Sequence, residues 1–86
     1  MWFLYVLLCS DGSYYTGITT DVKRRVREHN TCRGKASKYV WSRRPALLEV
    51  TWQYPDRSSA SKAEYAFKKL KKNDKRARIN DPRPPA

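Results

Sequence analysis

Five side chains of this 86-residue sequence could together carry out phosphate chemistry, although they are spread over most of its length: Tyr5, Tyr15, Arg25, His29 and Glu64. Tyrosine and histidine can orient a water or move a proton, arginine neutralises an anion, and a carboxylate binds a hard cation. Hydrolysis of a phosphodiester requires all three functions. Such chemistry would require the fold to bring these residues to one place.

The two tyrosines lie on strand-like segments that a short turn joins. Residues 2–9 are apolar, aromatic and branched without polar alternation, which predicts a central strand covered on both faces. Residues 13–19 predict a second strand, and the intervening Ser10-Asp11-Gly12 predicts a hairpin.

The length of the turn decides whether the tyrosines share a face of the sheet. A two-residue Asp-Gly turn puts Tyr5 and Tyr15 on opposite faces, where no shared site can form. A three-residue loop with Gly12 in the left-handed conformation pairs Tyr5 with Gly17 and makes the tyrosines diagonal neighbours, about 7 to 8 Å apart. We predict the three-residue loop, in which Gly17 leaves the face open beside Tyr5.

The arginine and the histidine lie on the first predicted helix, which Thr20 or Asp21 can cap. At about 100° per residue, His29 falls in the stripe that faces the sheet and Arg25 on its border, whereas Glu28 points elsewhere. A structural reading is also open. His29 could be a core histidine with one hydrogen bond, and the tyrosines could be ordinary strand aromatics.

The rest of the chain predicts one more strand and two more helices. Residues 33–44 are basic without a clear period, which indicates a loop with one helical turn around 37–41. A third strand follows over 46–54. Ser58 or Ser61 can cap a helix to about Lys72, with Ser61 and Glu64 at capping-box spacing, and Asp74 can start a short helix to Ile79.

This element order predicts the fold class. Strand, strand, helix, strand, helix and a short final helix indicate an α+β fold, with a small three-stranded antiparallel sheet flanked by helices. We expect one domain over residues 1–80 and a disordered, proline-rich tail over 81–86.

The charge of the chain favours a polyanionic partner. Lys and Arg number 19 against 8 Asp and Glu, a net charge of +11, so nucleic acid is the leading partner and an acidic membrane surface the second. The apolar start is too short to cross a membrane and lacks signal-peptide features, so we expect a cytoplasmic protein with no membrane partner. Cys9 and Cys32 are expected as free thiols, Cys9 being buried.

Exposed cations on the first helix, the basic loop and the second long helix could follow a phosphate backbone. The candidates for nucleic-acid binding are Lys23, Arg24, Arg27, Lys35, Lys38, Arg43, Arg44 and Lys68. Among these cations, Tyr39, Trp41 and Tyr65 could stack on exposed bases, and Tyr39 and Trp41 could equally well pack the loop.

The joint spacing of these residues resembles the motif of the GIY-YIG nuclease superfamily. Phe3-Leu4-Tyr5 is followed after nine residues by Tyr15-Thr16-Gly17, with Arg25 ten and His29 fourteen positions after Tyr15. The sequence is most similar to small stand-alone bacterial GIY-YIG proteins over residues 2 to about 79. It departs from the motif at Phe3-Leu4 and Thr16, and Asn73 and Asn80 are only near the family's late asparagine.

The resemblance implies a role for each residue. Tyr5 would activate or orient the attacking water, Arg25 would contact the scissile phosphate, and Glu64 would hold one divalent metal, Mg²⁺ or another such as Mn²⁺. Tyr15 would hydrogen-bond the phosphate or the water, and His29 would orient Tyr5 or relay a proton. Since the ordinary pKa of tyrosine is about 10, Arg25 and the metal would have to stabilise its phenolate.

These implications lead to one function and two alternatives. The expected function is a metal-dependent endonuclease that hydrolyses phosphodiester bonds in DNA, with a protein partner supplying the choice of target. The first alternative is a catalytically silent module of the same fold that binds DNA or RNA. The second is a small basic RNA- or ribosome-associated protein.

Overall fold

In the computed structural model, which describes residues 1–81, 83 and 84, three strands form one antiparallel sheet. The order is β2-β1-β3, in which β1 is Trp2–Leu8, β2 is Tyr14–Thr19 and β3 is Leu47–Tyr54. The helices of the described part are α1 (Val22–Thr31), α2 (Lys38–Trp41), α3 (Arg57–Lys68) and α4 (Lys72–Ile79). The predicted α+β fold and its element order are confirmed.

The central strand β1 is covered on both faces, as its unbroken apolar run predicts. On one face Leu4 and Val6 pack with Phe67 of α3. On the other face Tyr5 and Leu7 pack in a second cluster with Val40 of α2 and the apolar side of α1. Tyr5 therefore belongs to the face that α1 and α2 cover, away from the main packing of α3.

The hairpin between β1 and β2 has the three-residue loop. The Cys9 N–H donates to the Ser13 carbonyl at 2.8 Å, and the Gly12 N–H donates back to the Cys9 carbonyl at 2.9 Å. Gly12 has φ +84°, the left-handed conformation that glycine adopts at little cost. The predicted register is confirmed, because Tyr5 lies opposite Gly17.

Aspartates cap the two long helices. The Asp21 carboxylate accepts from the Arg24 N–H at 3.0 Å at the start of α1, which is one of the two predicted caps. For α3 the prediction of Ser58 or Ser61 was wrong. The Asp56 carboxylate accepts from the Ser59 N–H at 2.7 Å, because an aspartate one residue before the helix satisfies its first free N–H groups.

The earlier start of α3 changes the role of Glu64. With the helix beginning at Arg57, Ser61 lies inside it, so Ser61 and Glu64 do not form the expected capping box. Glu64 is instead in the middle of α3 and pairs with Lys68. The last helix also begins earlier than predicted, at Lys72 rather than Asp74.

The basic segment from 33 to 44 is tied to the rest of the fold by specific bonds. Ser37 caps α2 by accepting from the Val40 N–H at 3.0 Å, so the predicted helical turn is confirmed. The Arg43 guanidinium pairs with Asp11 of the hairpin loop at 3.0 Å. The Asn30 amide, at the end of α1, bonds both backbone groups of Ala46 just before β3.

Both cysteines are free thiols and Cys9 is buried, as predicted. No helix in the described part of the chain is long and apolar enough to span a bilayer. Within the expected tail, Asp81 pairs with Arg78 and Arg83 at 3.0 Å each. Residues 82, 85 and 86 lie outside the described residues, and the disorder of the tail stays a prediction.

Candidate active site

Tyr5, Tyr15 and His29 form one aromatic cluster between the hairpin and α1. Tyr5 is 1% exposed, and its Oη lies 2.9 Å from His29 Nε2. The Tyr15 ring centroid is 6.5 Å from that of Tyr5 and 5.2 Å from that of His29. The hairpin register places the tyrosines on one face, and the helix stripe brings His29 onto them.

The hydrogen bonds of His29 define which nitrogen carries its proton. The Ser37 backbone N–H donates to His29 Nδ1 at 3.3 Å, and a backbone N–H cannot accept. Neutral His29 therefore carries its proton on Nε2, and this assignment makes His29 the donor to Tyr5 Oη. His29 orients the Tyr5 hydroxyl and leaves the phenolic proton free to point into the site.

Gly17 makes room for the catalytic candidate Tyr5. A Cβ at position 17 would lie 2.7 Å from Tyr5 Cζ and would also overlap Tyr5 Oη. The sequence predicted an open face beside Tyr5, but the Tyr5 ring itself fills that space. Gly17 is thus required by the direction in which Tyr5 leans across the sheet, toward the edge strand β2.

Arg25 is held at the border of the cluster by two hydrogen bonds. Its Nη1 donates to the Lys35 carbonyl at 2.7 Å and to Glu28 Oε1 at 3.3 Å. The guanidinium also lies near enough to Tyr5 to lower the pKa of its hydroxyl. The expectation that Glu28 points elsewhere was wrong, because residues three apart on a helix are neighbours and Glu28 turns toward Arg25.

The electrostatics of the cluster are dominated by burial. Burial raises the pKa of Tyr5 to about 12, with a further rise from Tyr15, and this outweighs the lowering by Arg25. Burial, with help from the Arg25 charge, lowers the pKa of His29 to about 4. At neutral pH the free protein therefore holds a neutral phenol bonded to a neutral imidazole.

Glu64 lies on α3 and acts on Tyr5 through its charge. Its charge is among the causes that raise the pKa of Tyr5, which puts the carboxylate within electrostatic range of the cluster. Its side chain is 23% exposed, and its Oε2 pairs with Lys68 Nζ at 3.3 Å. A partly exposed carboxylate is an oxygen ligand of the kind that Mg²⁺ uses.

The donor set fits a magnesium ion only if other oxygens complete its shell. Residues 1–81, 83 and 84 contain no group of three His, Cys, Asp or Glu side chains that could hold a metal. Magnesium usually keeps several waters and binds through one or two carboxylates together with substrate phosphates. A single carboxylate, Glu64, is therefore enough for an ion that arrives with water and nucleic acid.

Sequence reasoning missed the groups from the basic segment that support the cluster. The Lys35 carbonyl accepts a hydrogen bond from Arg25, and the Ser37 N–H donates one to His29. The Tyr39 ring stacks on Tyr15, with 6.0 Å between the ring centroids. Backbone donors and acceptors carry no sequence signal. For Tyr39 the only signal was an aromatic residue within a run of cations.

The eight candidate nucleic-acid-binding cations are at the surface, but several already have partners. Arg24 and Lys35 each lie 3.8 Å from Glu28, and Lys68 pairs with Glu64. Arg43 and Arg44 lie over the rings of Tyr39 and Trp41, at 3.8 and 3.4 Å from the centroids. Lys23, Arg27 and Lys38 are exposed.

Known proteins share this arrangement of elements and sequence. The family described as the GIY-YIG catalytic domain matches residues 1–79. The UPF0213 protein DP2720 of Desulfotalea psychrophila is 47% identical over 78 residues, which are 91% of this chain and 70% of that protein. The UPF0213 protein VNG_2274C of Halobacterium salinarum is 47% identical over 74 residues, 86% of this chain and 94% of that protein.

A solved structure gives the same result for the fold. The solution NMR structure of protein EF2693 from E. faecalis is 45% identical, with a TM-score of 0.59, and the match covers 87% of this chain and 79% of that one. The family match spans nearly the whole sequence and includes each residue of the cluster around Tyr5. This chain is therefore a member of the GIY-YIG family, and its relatives include the UPF0213 proteins.

Proposed function

We propose that this protein is a metal-dependent endonuclease that hydrolyses phosphodiester bonds in DNA. One observation carries the proposal: His29 and Arg25 both converge on Tyr5 in a chain that belongs to a family of catalytic domains. A purely structural tyrosine needs neither a histidine at its hydroxyl nor an arginine charge close beside it. The net charge of +11 supports a nucleic-acid substrate.

Each residue of the candidate site has a separate role in this proposal. Tyr5 Oη, fixed by the His29 Nε2–H, loses its phenolic proton to a water of the site, and the resulting phenolate orients the attacking water and takes a proton from it. Before that transfer, the His29 hydrogen bond and the Arg25 charge stabilise the phenolate. The free face of the Arg25 guanidinium neutralises charge that develops on the phosphate, and Tyr15 hydrogen-bonds a phosphate oxygen or the water.

Glu64 is the residue that holds the divalent ion, Mg²⁺ or Mn²⁺, in this proposal. When bound, such an ion supplies Lewis-acid neutralisation of the phosphate and of the leaving oxygen. Ionisation of the Tyr5 hydroxyl at neutral pH requires added positive charge, because burial raises its pKa to about 12 in the free protein. The choice of target falls to a protein partner.

A second candidate function is a nucleic-acid-binding module of the same fold without catalysis. The observation that favours it is the raised pKa of Tyr5, since a neutral phenol is a poor base. The second candidate uses the same basic surface but gives no role to the position of Arg25 near Tyr5.

Cleavage assays with and without Mg²⁺ distinguish the two functions. The substrates are single-stranded, duplex, flapped and branched DNA and structured RNA, each labelled at one end. The proposal expects Mg²⁺-dependent cutting of at least one DNA, and Tyr5→Phe to reduce the rate at least a hundredfold, because it removes only the hydroxyl. Tyr65→Phe is the matched control, since Tyr65 is exposed on α3.

The opposite result selects the second candidate. If the wild-type protein binds these nucleic acids but cuts none of them with Mg²⁺ or Mn²⁺, the endonuclease proposal is wrong. Equal cleavage by wild type and Tyr5→Phe would remove Tyr5 from the mechanism.

A further inference from the structure

A cavity of about 300 Å³ lies in the basic segment, outside the cluster around Tyr5. It is lined by Arg33, Ala36, Lys38 and Trp41. The walls thus combine a large aromatic ring, two cations and one small apolar side chain. This volume is at the lower end of the usual range for small-molecule sites, and it accommodates a single nucleobase.

The segment that forms this cavity also supports the active-site candidates. The Lys35 carbonyl, the Ser37 N–H and the Tyr39 ring contact Arg25, His29 and Tyr15, respectively. The cavity residues are interleaved with them along the same short stretch of chain. A ligand in the cavity is therefore bound by a segment that is itself anchored on the catalytic cluster.

Trp41 is held in place before any ligand binds. The Arg44 guanidinium covers one face of the indole, 3.4 Å from the ring centroid. Arg44 is fixed in turn, because its Nε donates to the Trp41 carbonyl at 2.8 Å and its Nη1 donates to the Asn30 carbonyl at 3.4 Å. A ring fixed from one side provides a stacking surface at low entropic cost.

We propose that this cavity binds an unpaired nucleobase of the nucleic acid whose phosphate lies at the cluster around Tyr5. Trp41 stacks on the base, and Arg33 and Lys38 neutralise its flanking phosphates. A base within a duplex is stacked and paired and cannot enter, so the cavity selects single-stranded segments, flaps or loops. This inference rests on the proposed function and adds to it the class of substrate.

Binding measurements in metal-free buffer test the cavity without any cleavage. The probes are fluorescent DNA and RNA strands of about 12 nucleotides, a length suited to a small single-strand site, and the duplex of the same sequence. Trp41→Ala is expected to weaken single-strand binding about 5- to 100-fold and to leave duplex binding nearly unchanged, while Trp41→Phe keeps most of the affinity.

Two further variants guard against loss of folding and against a general surface effect. Ala36→Leu adds volume to the cavity wall while keeping the Trp41 ring, and is expected to weaken single-strand binding selectively as well. Leu47→Ala is the control, because Leu47 is an exposed apolar residue on β3 and does not line the cavity. Thermal melting identifies any variant that does not fold. If one of the two cavity variants is unfolded, the binding measured for the other tests the inference.

The inference is overturned if folded Trp41→Ala or Ala36→Leu binds single strands as wild type does, or loses duplex and single-strand affinity equally. Its failure is separable from that of the proposed function. Selective loss in these variants supports the cavity even where no substrate is cut, and Mg²⁺-dependent cutting with no selective loss leaves the endonuclease proposal standing alone.

Discussion

Tyr5 shows how burial and hydrogen bonding oppose each other at one hydroxyl. His29 and Arg25 both favour the phenolate, yet the pKa of Tyr5 rises to about 12 because the group is removed from water. His29 is subject to the same effect with the opposite sign, because burial disfavours its cation and lowers its pKa to about 4. Tyr5 and His29 are thus both uncharged at neutral pH.

The lowered pKa of His29 predicts acid sensitivity of the fold. The unfolded chain takes up a proton near pH 6.5 and the folded chain only near pH 4, so stability from this group is complete above pH 6.5 and falls as the pH drops toward 4. The loss amounts to about 3 kcal/mol in the free energy of unfolding. Urea unfolding across this range measures it.

The control for this prediction is His29→Gln, which removes the only histidine of the chain. The difference between the free energies of unfolding of wild type and His29→Gln should shrink as the pH falls from 6.5 to 4. Only the wild type has an imidazole that folding keeps neutral, so only the wild type loses this stability. Parallel curves for the two proteins would contradict the buried neutral His29.

At the level of elements, the sequence predicted what depends on local rules. The hairpin register followed from loop length and Gly12, and the side of α1 that carries His29 followed from helical periodicity. The contacts of the basic segment could not be predicted, because its path has no period and two of its bonds use backbone atoms of Lys35 and Ser37. The start of α3 was missed because aspartate and two serines compete for its cap.

Gly17→Ala is predicted to disturb the site through the strand pairing. The new Cβ would lie 2.7 Å from Tyr5 Cζ, and the buried Tyr5 ring has to move, which costs about 1 to 3 kcal/mol of stability. The same movement displaces Oη from His29, so cleavage should fall more than stability alone explains. Chemical denaturation and a single-turnover cleavage assay measure the two effects.

Gly34→Ala is the matched control, because a Cβ there meets no atom within 4 Å. It should leave stability and cleavage within error of wild type. If Gly17→Ala behaved like Gly34→Ala, the close packing of Tyr5 over β2 would be wrong.

For the whole molecule, a net charge of +11 implies binding that is mainly electrostatic. Internal pairing reduces the number of cations that reach nucleic acid, since Arg43 and Lys68 already contact Asp11 and Glu64. If about six phosphates are contacted, affinity for duplex DNA should fall roughly a thousandfold between 50 and 200 mM salt. Fluorescence anisotropy measures this slope, and an affinity independent of salt would contradict it.

The central claim, a metal-dependent phosphodiester-cleaving site, is tested most directly at Glu64. Glu64→Gln keeps the size of the side chain and the helix but removes the charge that binds a hard cation. We predict that Mg²⁺-dependent cleavage falls at least a hundredfold, while thermal stability and nucleic-acid affinity in metal-free buffer stay near wild type, because an exposed ion pair such as that with Lys68 contributes at most about 1 kcal/mol. Glu49→Gln, an exposed carboxylate on β3, should cleave normally. Wild-type cleavage rates in Glu64→Gln would contradict the account.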